Sequence, residues 1–189
     1  MPEIPRTTRA VRIHTPGGID ALSVDTVDVP APGEGEALIR VAFAGVNYID
    51  VYKRTGLYPL PLPATLGEEG AGTVVAIGPG VTEVREGDRV AWASVNGAYA
   101  EFAAIPATRL VQIPSGVSER DSSAVMLQGM TAHYLTTSTY QLRKGDTCLV
   151  QAAAGGVGLL LVQIAKTPES DTEQWNGPKG GEIDACLAT

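Results

Sequence analysis

From Thr8 to about Pro114, glycine and proline interrupt the chain so regularly that it reads as a succession of short strands. "AVRIH" (Ala10 to His14), "LSVDTVDV" (Leu22 to Val29) and "EALIRVAFAG" (Glu36 to Gly45) alternate apolar and polar residues, as half-buried strands do. Pro30, Pro32, Gly33 and Gly35 mark the turn between the last two. "GTVVAIGPGV", "GDRVAWA" and "AYAEFAAIP" (Ala98 to Pro106) add further strands, separated by Gly78-Pro79-Gly80 and Gly87-Asp88. Strands this short and this closely spaced predict a small barrel or sandwich.

After Pro114 the period changes. Ser118 is a plausible N-cap with Asp121 in the first turn, and "AVMLQGMTAHYL" continues as helix. "TCLVQAA" (Thr147 to Ala153) is a continuous apolar run of the kind buried in parallel sheets. A glycine-rich turn follows, and "VGLLLVQIAK" (Val157 to Lys166) reads as a second helix. The stretch 167–189 has no sustained apolar period and contains Pro168, Pro178 and Gly180-Gly181, so it is expected to be an irregular tail. The expected division is a β-domain over 1–117, a linking helix with one βα unit over 118–166, and that tail over 167–189.

Charge narrows the function classes. With 14 basic and 21 acidic residues the net charge is −7, which argues against a general nucleic-acid binder or adhesion to anionic membranes. Two cysteines, Cys148 and Cys186, cannot form a four-thiolate zinc site and do not suggest a disulfide framework. The start lacks an apolar signal-peptide core, and no run of about 18 apolar residues exists. A cytoplasmic setting is the default expectation.

"AAAGGVG", Ala152 to Gly158, lies between the predicted strand and helix. Gly155 lets the backbone turn sharply and approach a diphosphate, Gly158 lets the helix pack closely, and the first helical N–H groups face the anion. The first glycine of the usual dinucleotide pattern is replaced by Ala153.

With these segments in order, the chain resembles the zinc-free, zeta-crystallin-like quinone oxidoreductase branch of the medium-chain dehydrogenase/reductase superfamily. "AGVNYIDVYKRTGLYPLPLPATLGEEGAGTVVAIGPGV", "EGDRV", "GAYAEFAAIP", "AVMLQGMTAHYL" and "VQAAAGGVGLLLVQIAK" carry the likeness, which covers about Ala10 to Lys166. The resemblance implies a GroES-like β-barrel domain followed by the first βα unit of a Rossmann domain, which the chain is expected to leave unfinished. It implies NADPH as cofactor and a small-molecule quinone as substrate.

Zinc-dependent relatives carry a cysteine at the position of Asn47 and a Gly-His-Glu motif at Gly67-Glu68-Glu69, so no metal is expected. A quinone oxygen must then be held by hydrogen bonds as charge develops on it. The resemblance assigns that task to Asn47 and Tyr52, and cofactor binding to Thr131, Gly155, Gly156, Val157 and Gly158. Thr131 could equally bond back to a helix carbonyl. Gln128, Tyr134 and His133 are weaker candidates. Asp50 reads as a structural helix or turn carboxylate, and Glu68-Glu69 as part of a turn. Asp171 and Glu173 sit near the ribose-binding spacing but have no strand before them. The function expected is NADPH-dependent quinone reduction, impaired in this chain alone. The alternatives are a non-catalytic GroES-like domain and a zinc-free enoyl or alkene reductase. Apolar residues on the helix from Val157 to Lys166 leave a homodimer open.

Overall fold

A computed structural model describes residues 3–143 and 146–166. The tail 167–189, with Asp171, Glu173 and Cys186, lies outside the described residues. The chain separates into two compact units, Met1–Met126 and Leu127–Thr189.

The first unit is built from two antiparallel sheets. One has the order β2-β1-β4, from β1 (Thr7–Ile13), β2 (Leu22–Asp28) and the two-residue β4 (Ala64–Thr65). The other has the order β7-β3-β5-β6-β8. Its strands are β3 (Glu36–Gly45), β5 (Glu69–Ile77), β6 (Arg89–Ala93), β7 (Phe102–Pro106) and β8 (Val111–Gln112). The predicted strand Glu36 to Gly45 is reproduced to the residue, although its burial runs in blocks, buried over Ala37 to Ile39 and exposed over Ala42 to Ala44, with register shifts against β5 at Leu38/Ile39 and Val41/Phe43. It pairs with β5 along its length and with β7 from Glu36 to Arg40.

The predicted strand Ala98 to Pro106 divides its work. Only Phe102–Pro106 joins β3. The residues before it cross to the other sheet, where Val11 N–H donates to the Tyr99 carbonyl at 2.7 Å and Ala10 bridges Ala100. One segment thereby ties both sheets together. The main core is formed by the five-stranded sheet and is apolar: Ala37, Ile39, Val74, Val90, Trp92 and Ile105 are all fully buried. Each large aliphatic side chain so buried contributes about 1.5–3 kcal/mol.

Helix α1 (Tyr48–Thr55) leaves β3 through Val46 and Asn47 and ends at Gly56, whose φ of 82° is the left-handed conformation that favours glycine. Helix α2 (Glu119–Tyr134) starts as its sequence predicts. The Asp121 N–H donates to Ser118 Oγ at 3.0 Å, while Ser118 Oγ donates to the Asp121 carboxylate at 2.6 Å.

The division into two units falls inside α2, after Met126. In the second unit α2 gives way to a π-helical turn, Leu135–Thr139, and helix α3 spans Gly156–Lys166. The expected strand Thr147 to Ala153 is not formed: Asp146 to Val150 is irregular and Gln151 to Ala154 is a turn. An apolar run becomes a strand only when a neighbour supplies the other half of the ladder. Among the described residues this unit contains no strand to supply it. The small core that does form brings Leu142 and Ala165 together against Cys148, whose thiol pKa is pushed up by burial and then by the Asp146 carboxylate.

Candidate functional site

Asn47, Asp50 and Lys53 recur every three residues and share one face of α1 and its cap. That face is buried, with 8%, 6% and 7% of each residue exposed. A buried polar group without a partner is costly, so the sequence must supply partners from elsewhere. It does so from β5 and the loops beside it. Asn47 Nδ2 donates to Glu69 Oε2 at 2.7 Å, and Glu69 is wholly inaccessible. Lys53 Nζ donates to Asn96 Oδ1 at 2.9 Å and to the Glu68 carboxylate, with which it forms a buried ion pair. Asp50 Oδ2 accepts from the Asn47 N–H at 3.0 Å and from the Tyr99 hydroxyl at 2.8 Å. Asp50 Oδ1 is buried with no hydrogen-bond partner. Burial, and then the bond to Asp50, pushes the Tyr99 phenol well above its usual pKa.

Asp50 is therefore a structural carboxylate, as expected, holding the start of α1. Glu68 and Glu69 depart from the sequence reading. Glu69 opens β5, both side chains are buried, and each is engaged by a residue of α1 or its cap. The close fit explains Gly45: a methyl group there would overlap the Glu69 carboxylate and the Ser123 carbonyl. Lys53, Asn96 and Tyr99 were not singled out from sequence. The three-residue spacing of polar groups on a short helix was the available signal for Lys53. Asn96 and Tyr99 carried none, since their partners lie 43 and 49 residues away.

The opposite face of α1 is aromatic. Tyr52 lies between Tyr48 and Tyr58, with ring centroids 5.1 and 5.5 Å away and both pairs edge to face. Tyr48 is 72% exposed, so this aromatic surface is open to solvent in the unit. Asn47 and Tyr52 are thus brought onto one short element, one as its cap and the other one turn further on.

In the second unit, Gly155 precedes α3, and Gly156, Val157 and Gly158 are the first three residues of that helix. Gly155 N–H donates to the Ala152 carbonyl at 2.8 Å, and Ala152 has a φ of 51°, strained for a residue with a Cβ. A methyl group at Gly158, the third residue of α3, would overlap the backbone of Ala152 and Ala153, so this position requires glycine. The first helical N–H groups have no carbonyl one turn back, leaving donors suited to an anion. Thr131 Oγ1 donates to the Leu127 carbonyl at 2.7 Å, the back-bonding that its helical position makes available. The Thr131 hydroxyl still has acceptor capacity. His133 is exposed on α2, and His14 in the first unit lies 2.7 Å from the Asp25 carboxylate.

Residues 33–115 match the family model of the alcohol dehydrogenase GroES-like domain. The chain is 47% identical over 152 residues to a quinone oxidoreductase of Pseudomonas aeruginosa, covering 79% of this chain and 47% of that protein. It is 38% identical over 165 residues to a 2-haloacrylate reductase of Burkholderia, covering 83% of this chain and 49% of the relative. Among solved structures, the quinone oxidoreductase of Escherichia coli complexed with NADPH superposes with a TM-score of 0.81 at 32% identity, over 93% of this chain and 60% of that one. The chain spans about half the length of the curated relatives it matches.

Proposed function

We propose that this chain, whose residues 33–115 match the alcohol dehydrogenase GroES-like domain and which is 47% identical to a quinone oxidoreductase over 152 residues, belongs among the quinone oxidoreductases of the medium-chain dehydrogenase/reductase superfamily and serves NADPH-dependent reduction of a small quinone. The observation that carries the reading is the likeness, over 93% of the chain, to a quinone oxidoreductase complexed with NADPH. The glycine turn suits that cofactor. Gly155, Gly156, Val157 and Gly158 offer backbone N–H groups and no side chain larger than Val157 where a diphosphate would lie. Thr131 would border the nicotinamide, which supplies the hydride.

Asn47 and Tyr52 hold the quinone in this reading. One Asn47 amide hydrogen is committed to Glu69, which leaves the second as a donor to the oxygen that gains charge. The Tyr52 phenol supplies another donor. The reaction needs no metal: Asn47 is a poor ligand, and the Glu68 carboxylate already holds the Lys53 ammonium. Among the described residues no helix is long and apolar enough to cross a membrane, and we place the protein in the cytoplasm. Leu149 and Leu159, 67% and 53% exposed, are the surface we would assign to a second copy.

The test is NADPH oxidation with p-benzoquinone, by this chain and by this chain continued with the remaining half of a relative. Saturable, quinone-dependent oxidation that falls in Asn47→Ala and Tyr52→Phe is expected from the continued chain, with little or none from this chain alone. A second reading rests on the 2-haloacrylate reductase. Oxidation with a 2-haloacrylate and none with quinone would establish reduction of an activated alkene instead. Absence of NADPH binding would favour a non-catalytic domain.

A further inference from the structure

Carboxylates hold Asn47 at both ends. Its main-chain N–H donates to Asp50 Oδ2 at 3.0 Å, and its side-chain Nδ2 donates to Glu69 Oε2 at 2.7 Å. Glu69 is wholly inaccessible, and its carboxylate fills the space that a methyl group at Gly45 would enter. A carboxylate is a costly group to place there, because burial strips it of water. A hydroxyl or an amide at position 69 would also bond Asn47, at lower cost. Such groups both donate and accept, so they would let the Asn47 amide turn either its oxygen or its nitrogen toward them. A carboxylate only accepts, and therefore admits the nitrogen alone. What the buried charge supplies is the direction of the amide.

We propose that Glu69 is a positioning residue for quinone reduction: by accepting one hydrogen of Asn47 Nδ2 it fixes the amide, so that the second hydrogen points one way and serves the quinone oxygen as charge develops on it. This rests on the quinone reading given above, which takes Asn47 as the donor, and adds the residue that makes it one. Glu69 itself touches no substrate. Its effect on turnover is carried wholly by the Asn47 amide.

The experiment compares three variants of the chain continued with the remaining half of a relative, assayed with NADPH and p-benzoquinone. Glu69→Met removes the acceptor without leaving a buried charge, and kcat should fall roughly ten- to a hundredfold with KM for NADPH unchanged. Glu69→Gln still accepts through Oε1 but tolerates a turned amide, so kcat should fall only about two- to threefold. Asn47→Asp with Glu69→Gln keeps a hydrogen bond between the two positions and exchanges donor and acceptor. Its unfolding midpoint should lie within about 3 °C of Glu69→Gln, while kcat falls about a hundredfold for want of a donor. In the 189-residue chain, the nuclear magnetic resonance of one Asn47 amide proton should lie well downfield of its geminal partner, and Glu69→Met should bring the two together. Wild-type kcat in Glu69→Met would overturn the proposal, as would amide protons that Glu69→Met leaves unmoved. Equal kcat in the exchanged pair and in Glu69→Gln would overturn it too, since a merely structural contact does not depend on which side donates; that comparison decides even where Glu69→Met fails to fold. A continued wild-type chain that oxidises no NADPH with quinone would sink the quinone reading together with this one. An active wild type with indifferent Glu69 variants would sink this one alone.

Discussion

The β-sheet unit and the α2–α3 unit treat their buried groups in opposite ways. In the first, β3 finds β5 on one edge and β7 on the other, and the charged residues buried under α1 find partners more than ten residues away. In the second, the apolar segment Cys148 to Val150 finds no strand beside it among the described residues, and Leu149 is left 67% exposed. Hydrophobic content is ample in both. What differs is whether a neighbour completes the backbone ladder, and that decides between strand and irregular chain.

The sharpest way to break this contrast is amide hydrogen exchange. Amides of β5 should be protected at least ~1,000-fold more than those of Asp146 to Val150, since laddered core strands open only with large free-energy cost. Comparable protection in the two segments would mean that a partner strand forms after all. Next in size is the buried ion pair. Lys53→Met should cost about 3–5 kcal/mol in urea denaturation by stranding Glu68, and Lys53→Met with Glu68→Leu should recover most of it. A loss below ~1 kcal/mol in the single variant would mean that water reaches the pair.

Gly45→Ala is expected to cost about 1–3 kcal/mol, the usual range for overpacking a tight core, because its methyl meets the Glu69 carboxylate and the Ser123 carbonyl. Thermal unfolding unchanged by that substitution would show that β3 can shift freely at its end. The smallest effect belongs to the cap of α2. Ser118→Ala should lose about 1 kcal/mol, read as a lowered midpoint of denaturation, and Ser118→Asp should retain most of the stability.

The same contrast explains what was legible in the sequence. Strand β3 could be read to its ends because the glycines that bound it, Gly35 and Gly45, are local information, as is the Ser118–Asp121 cap. The strand expected over Thr147 to Ala153 could not be judged from its own residues, since its formation depends on chain elsewhere. Glu68 and Glu69 read as part of a turn in the sequence because glycines flank them on both sides. Their true context comes from Lys53 and Asn47, 15 and 22 positions earlier. The glycine turn into α3 was legible as a turn. Asn47 was expected to face substrate. Its amide donates first to Glu69, so only part of its hydrogen-bonding capacity remains for that role.

Gly45, Asn47 and Glu69 consequently form an interlocked set whose members cannot drift independently. Any side chain added at Gly45 enters the volume of the Glu69 carboxylate. Shortening Glu69 to Asp would open that volume but draw the carboxylate away from the Asn47 amide. Replacing Asn47 with an apolar residue would leave Glu69 as a buried charge lacking its 2.7 Å donor. A change at Glu69 does not free Gly45 either, because a side chain there also meets the Ser123 backbone carbonyl, so Gly45 should be recovered as glycine far more often than Asn47 or Glu69 keeps its own residue in random mutagenesis.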